Sequence, residues 1–136
     1  MNLIGTAPNQ VPNNAMLGGM AFQDPAGVNI TGGIFMGQIR RRAPVTKTAA
    51  FTIADTEHWL IVNGAASVVV TLPTASSNLG REVMIKNIAA FTVVSATANV
   101  VQLDGATTTT AILPATAGTW ATLVSDGTNW HIMEAA

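Results

Sequence analysis

From Lys47 onward, apolar and polar residues alternate in short runs rich in Val, Ile and Thr, with turn residues roughly every 8 to 12 positions. A period of two puts successive side chains on opposite faces, which marks strands and not helices. The runs predict strands over Lys47 to Ala54, His58 to Asn63, Ser67 to Leu72, Arg81 to Asn87, Phe91 to Ala96, Val100 to Leu103, Thr109 to Leu113, Thr119 to Ser125 and Asn129 to Met133. Alternation is clearest in Arg81 to Lys86, where Val83 and Ile85 share one face and Glu82, Met84 and Lys86 share the other. Trp59 to Val62 and Val68 to Val70 are apolar on both faces, as expected of strands lying between a core and a second covered surface such as a partner subunit. Asp104-Gly105 and Asp126-Gly127 supply the residues of tight hairpin turns, because Gly accepts positive φ and Asp can bond its own backbone. No segment carries a capped 3.6-residue period. The expected fold is all-β: an antiparallel sandwich or jelly-roll-like domain over residues 46–136, preceded by an extended N-terminal arm over residues 1–45.

The arm is read from a change of pattern. Pro8, Pro12, Pro25 and Pro44 stand among many Gly and Asn residues, and no strand or helix period survives that density of breakers. Met16, Leu17, Met20, Phe22, Ile34 and Phe35 nevertheless give it more apolar surface than a solvated linker carries. A segment that becomes ordered against a partner is expected. Fully extended, some 33 of its residues would reach about 110 Å, enough to cross to a neighbouring molecule.

Composition narrows the function. Only 10% of the 136 residues are charged while 49% are apolar, against about a quarter charged in an ordinary soluble domain. A surface so poor in charge favours burial against other subunits. The net charge of −1 offers no general attraction for nucleic acid or an anionic membrane, so neither is expected as a partner. No apolar run approaches the roughly 20 residues that span a bilayer, and the first residues lack the basic region and continuous apolar core of a conventional secretory signal. With no cysteine, thiolate metal sites, disulfides and cysteine nucleophiles are excluded.

Candidate chemistry is sparse. Asp55, Glu57 and His58 form one local cluster of metal-ligand type, but Glu57 and His58 would point to opposite faces of a strand, so a solvated strand-entry loop is expected. His131 and Glu134 read as structural. No dinucleotide, Walker or nucleophile-elbow motif occurs, so no enzyme activity, cofactor or catalytic residue is expected. Asn29-Ile30-Thr31 is a glycosylation sequon that would require a secretory route. Arg40, Arg41 and Arg42 hold three of the six positive charges where arm meets domain; they read as a solvated cluster or as donors to acidic groups on a partner. Trp59, Trp120 and Trp130 alternate with aliphatics, so core packing is expected, with sugar stacking as the reading that an exposed pair would favour.

Two stretches carry a resemblance. Asn13 to Gly33 (Asn-Asn-Ala-Met-Leu-Gly-Gly-Met-Ala-Phe-Gln-Asp-Pro-Ala-Gly-Val-Asn-Ile-Thr-Gly-Gly) resembles a segment recurring in tailed-bacteriophage virion proteins, especially tail fibres and other surface appendages. Gly118 to Met133, around Trp120-Ala121-Thr122-Leu123-Val124-Ser125-Asp126-Gly127-Thr128-Asn129-Trp130, looks like the closing hairpin of small β domains in phage fibres and head-decorating proteins. The resemblance implies a non-enzymatic, homotrimeric component of the virion. Without a repeated shaft or coiled-coil heptads, the chain fits a capsid cement or decoration protein that binds the major capsid protein or another virion protein. A short tail or head fibre subunit for host adsorption, binding a receptor or glycan, is the alternative. Met16, Leu17, Met20, Phe22, Ile34, Phe35, Arg40, Arg41 and Arg42 are the candidate partner-binding residues.

Overall fold

The Val-, Ile- and Thr-rich runs are extended chain in a computed structural model, which describes residues 42–105 and 107–136. The strands are β1 (Val45–Lys47), β2 (Phe51–Thr52), β3 (Trp59–Val62), β4 (Val68–Thr71), β5 (Glu82–Asn87), β6 (Val93–Ser95), β7 (Val100–Val101), β8 (Thr108–Thr109), β9 (Ala111–Leu113), β10 (Trp120–Ser125) and β11 (Trp130–Ala135). A single turn of 3-10 helix covers Ala75–Ser77, and no α-helix forms among the described residues. Two predicted strands divide. Lys47 to Ala54 becomes β1 and β2, and Thr109 to Leu113 falls on β8 and β9, each time in different sheets.

A seven-stranded sheet runs β1-β3-β5-β10-β11-β7-β8, and a four-stranded sheet runs β2-β4-β6-β9. From β1 to β6 successive strands alternate between the two sheets, so β1, β3 and β5 stack in parallel in one and β2, β4 and β6 in the other, like coils of a short solenoid. Two coils share one register. Leu60 pairs with Ile85 in the large sheet and Val68 with Val93 in the small one, both 25 residues apart. The antiparallel part comes later: β5 pairs β10, β10 pairs β11, β7 pairs β8 and β6 pairs β9.

The expected antiparallel sandwich or jelly roll is corrected here. The domain is all-β with two sheets over a common core, but both sheets are mixed. The physical reason is the connections: a chain that leaves one sheet, crosses the other and returns must re-enter in its original direction, whereas a hairpin reverses it.

Alternation decides which side chains meet. Leu60, Val62, Val83, Ile85, Ala121 and Leu123 project inward from the large sheet against Val68, Val70, Val93 and Ile112 from the small one. Each such Val, Leu or Ile contributes about 1.5–3 kcal/mol by burial. Among the described residues three inward positions are polar, and each ends a strand. Asn87 Nδ2 donates to the carbonyls of Phe91 (2.7 Å) and Pro114 (3.3 Å), and its Oδ1 accepts from Ala89 N–H. Ser95 Oγ donates to Asn99 Oδ1, and Ser125 Oγ donates to the Ala75 carbonyl. These groups hold the corners, where the chain leaves the ladder and its backbone would lack partners. At the β3–β4 corner Gly64 is required by space, since a Cβ there would lie 2.5 Å from a Val68 methyl.

Candidate functional site

The same alternation that fills the core leaves a second apolar surface on the outside of the large sheet. β3 presents Trp59 and Ile61 there, β5 presents Met84 between Glu82 and Lys86, and β10 presents Trp120, Thr122 and Val124. Register sets them side by side: Trp59 beside Met84, Met84 beside Thr122, and Lys86 between Ile61 and Trp120. Pro44, Trp59, Ile61, Met84, Lys86 and Trp120 line a groove of about 320 Å³ with almost wholly apolar walls.

A β-bulge shapes the far side of the face. Leu123 pairs Ile132 but Thr122 pairs Glu134, so Met133 is the extra residue of β11. Bulges re-aim side chains. Met133 is 60% exposed and borders a second concavity with Trp59, Met84 and Val124. Lys86 and Glu134 are exposed on this face, and among the described residues neither has an ion-pair partner. The outside of the small sheet offers Thr52, Val69, Thr71, Val94 and Ala111, with no aromatic side chain among these residues.

The tryptophan expectation therefore divides. Trp130 is fully buried, and its Nε1 donates to the Pro73 carbonyl at 2.9 Å. Trp59, 38% exposed, and the half-buried Trp120 are not core residues. Parity explains the correction: with Leu60 and Val62 inward, Trp59 must point out, and with Ala121 inward so must Trp120. The signal was available in the two apolar faces of Trp59 to Val62.

The Asp55–His58 loop is also corrected in part. Asp55 is exposed, but Glu57 accepts from Lys47 Nζ at 2.6 Å and from Ala54 N–H at 3.0 Å. Arg81 braces the loop, donating to the carbonyls of Ala54 and Glu57. Burial pushes the Glu57 carboxyl up, but the Lys47 ammonium, the Ala54 N–H and Arg81 outweigh it and hold it below its ordinary value. The cluster is a brace between successive coils. Among the described residues no three His, Asp or Glu side chains gather as metal ligands.

No family model matches the chain, and no curated protein matches its sequence. Of the nine expected partner-binding residues, Met16, Leu17, Met20, Phe22, Ile34, Phe35, Arg40 and Arg41 lie outside the described residues. Arg42 is described and exposed, two residues before the Pro44 wall of the groove. The sequence pattern marks the outer side of Trp59 to Val62 as a covered surface, but not the groove that β3, β5 and β10 form together.

The Asp126-Gly127 turn forms as expected, with Gly127 at φ +90°. Asp104-Gly105 closes a four-residue turn in which Gly105 N–H donates to the Gln102 carbonyl at 3.2 Å, but it lies within a longer β7–β8 connection and not in a two-residue hairpin, and Gly105 is not among the positive-φ glycines. At the first turn, Asp126 Oδ1 accepts from the N–H groups of Asn129 (2.6 Å) and Thr128 (2.7 Å), and His131 Nε2 lies 2.9 Å from Oδ2. The Asn129 and Thr128 donors, with His131 beside them, hold the carboxyl at about 2, below its ordinary 3.8. A depressed folded-state value means that the stabilisation is present above pH 4 and lost as pH falls through 2. Thermal unfolding between pH 5 and 2 is expected to show this loss in the wild type and less of it in Asp126→Asn. Parallel pH profiles for the two would contradict that role.

Proposed function

We propose that this chain is a structural protein of a tailed-bacteriophage virion, a homotrimeric capsid cement or decoration protein that clamps neighbouring capsid subunits. The observation that carries the reading is a charge-poor all-β domain with an apolar, tryptophan-bearing face turned away from its own core. The resemblance of Asn13 to Gly33 and Gly118 to Met133 to virion proteins supplies the context. In this reading the two-sheet domain makes the trimer, and the residues before β1 act as arms toward the major capsid protein. Three arms on one trimer make the second and third contacts effectively intramolecular, so modest single-arm affinities suffice. Preferential binding to the assembled shell then stabilises it by mass action.

A second reading has its own support. Trp59 and Trp120 border one groove, which favours a short tail or head fibre subunit that stacks a host glycan. Particle binding separates the two. Deleting residues 1–40 removes no described strand, so a folded β domain is expected that no longer decorates capsids. Full occupancy of heads by the truncated protein would contradict the arm's role, and location at the tail with binding to host cells would favour the fibre.

A further inference from the structure

We infer that copies of this chain join through the outer face of the large sheet, with Met133 of one copy seated in the Trp59–Trp120 groove of the next and Glu134 beside Lys86. The inference rests on the homotrimer reading above and assigns it a surface.

Groove and knob are complementary in shape and chemistry. The groove has apolar walls and one ammonium, Lys86, at its rim. The knob is a protruding thioether, Met133, followed at once by a carboxylate, Glu134. Methionine fills irregular apolar spaces and its sulfur packs well against aromatic rings such as those of Trp59 and Trp120. A sugar would find stacking surfaces but few partners for its hydroxyls, because among the described residues of the lining Lys86 is the only charged or hydrogen-bonding side chain besides the indoles.

The two patches sit on different flanks of one face. Groove residues come from β3, β5 and β10, while the knob is on β11, one to three strand spacings or about 5–14 Å away. A contact between unlike patches is heterologous, and such contacts form a ring when the rotation closes. Three copies, each giving a knob and receiving one, leave no apolar groove open.

The test measures association of the full-length chain by sedimentation equilibrium, with near-UV circular dichroism as the check on folding. Met133→Glu is expected to weaken trimer formation at least a hundredfold. Lys86→Glu and Glu134→Lys are each expected to weaken it about tenfold, and the double exchange to return it within threefold of wild type. Val69→Glu, on the small sheet, is expected to leave it unchanged. The proposal is overturned if Met133→Glu remains trimeric, or if the double exchange is no better than the singles. It is equally overturned if deletion of residues 1–40 dissolves the trimer while Met133→Glu does not, which would make the leader the occupant. Loss of glycan-array binding in Trp59→Ala at unchanged mass would make a sugar the occupant. Should Met133→Glu fail to fold, the charge exchange decides. A wild-type monomer would sink the homotrimer reading itself, whereas a trimer indifferent to these changes would sink only the assigned face.

Discussion

Trp130→Ala is expected to cost about 3–5 kcal/mol of folding stability, a large part of the 5–15 kcal/mol that a domain usually possesses. Trp130 has no solvent exposure, and it packs in the core shared by the two sheets. Its removal leaves a cavity and also strands the Pro73 carbonyl, which accepts from Nε1. The bond spans 57 positions and fastens the closing hairpin to the segment after β4. Urea unfolding followed by circular dichroism measures the loss. Trp130→Phe, which keeps a ring but no N–H, is expected to fall between wild type and Trp130→Ala. A loss below about 1 kcal/mol in Trp130→Ala would mean that the hairpin is held chiefly elsewhere.

Asn87→Leu is expected to be nearly as damaging, although it makes the core more apolar. The position is fully buried, and the side chain satisfies two carbonyls and one N–H at the corner after β5. Leucine keeps the branch at Cγ but is bulkier and satisfies none of them. Leaving buried groups unpaired costs about 1–3 kcal/mol each, less whatever the turn recovers by relaxing, so a net loss of about 3 kcal/mol is expected. The same unfolding experiment checks it. A variant as stable as wild type would contradict the role given to the inward polar residues.

Residues 81–87 illustrate how much of this fold was legible in the sequence. The period of two put Val83 and Ile85 inside, and both are fully buried. It could not specify the neighbours. That β5 runs parallel to β3 and antiparallel to β10 depends on whether the intervening chain crosses to the other sheet, which alternation does not encode. The 25-residue register between coils was also hidden, because stacked positions share burial and not identity: Val62 lies against Asn87 and Val70 against Ser95.

The outer face was half legible. Two apolar sides on Trp59 to Val62 announce a second covered surface, yet the alternation of each tryptophan with aliphatics points to the core. What separates Trp130 from Trp59 and Trp120 is strand parity, which becomes certain only with the register. The Met133 bulge had no sequence signal, since an extra residue in one strand is visible only beside its partner.

The mass of the wild-type full-length chain in solution, taken by sedimentation equilibrium from low to high micromolar concentration, tests the central claim most directly. A domain completed by its own copies should sediment as a trimer that dissociates only on dilution. A single species of one-chain mass across the whole range would contradict it.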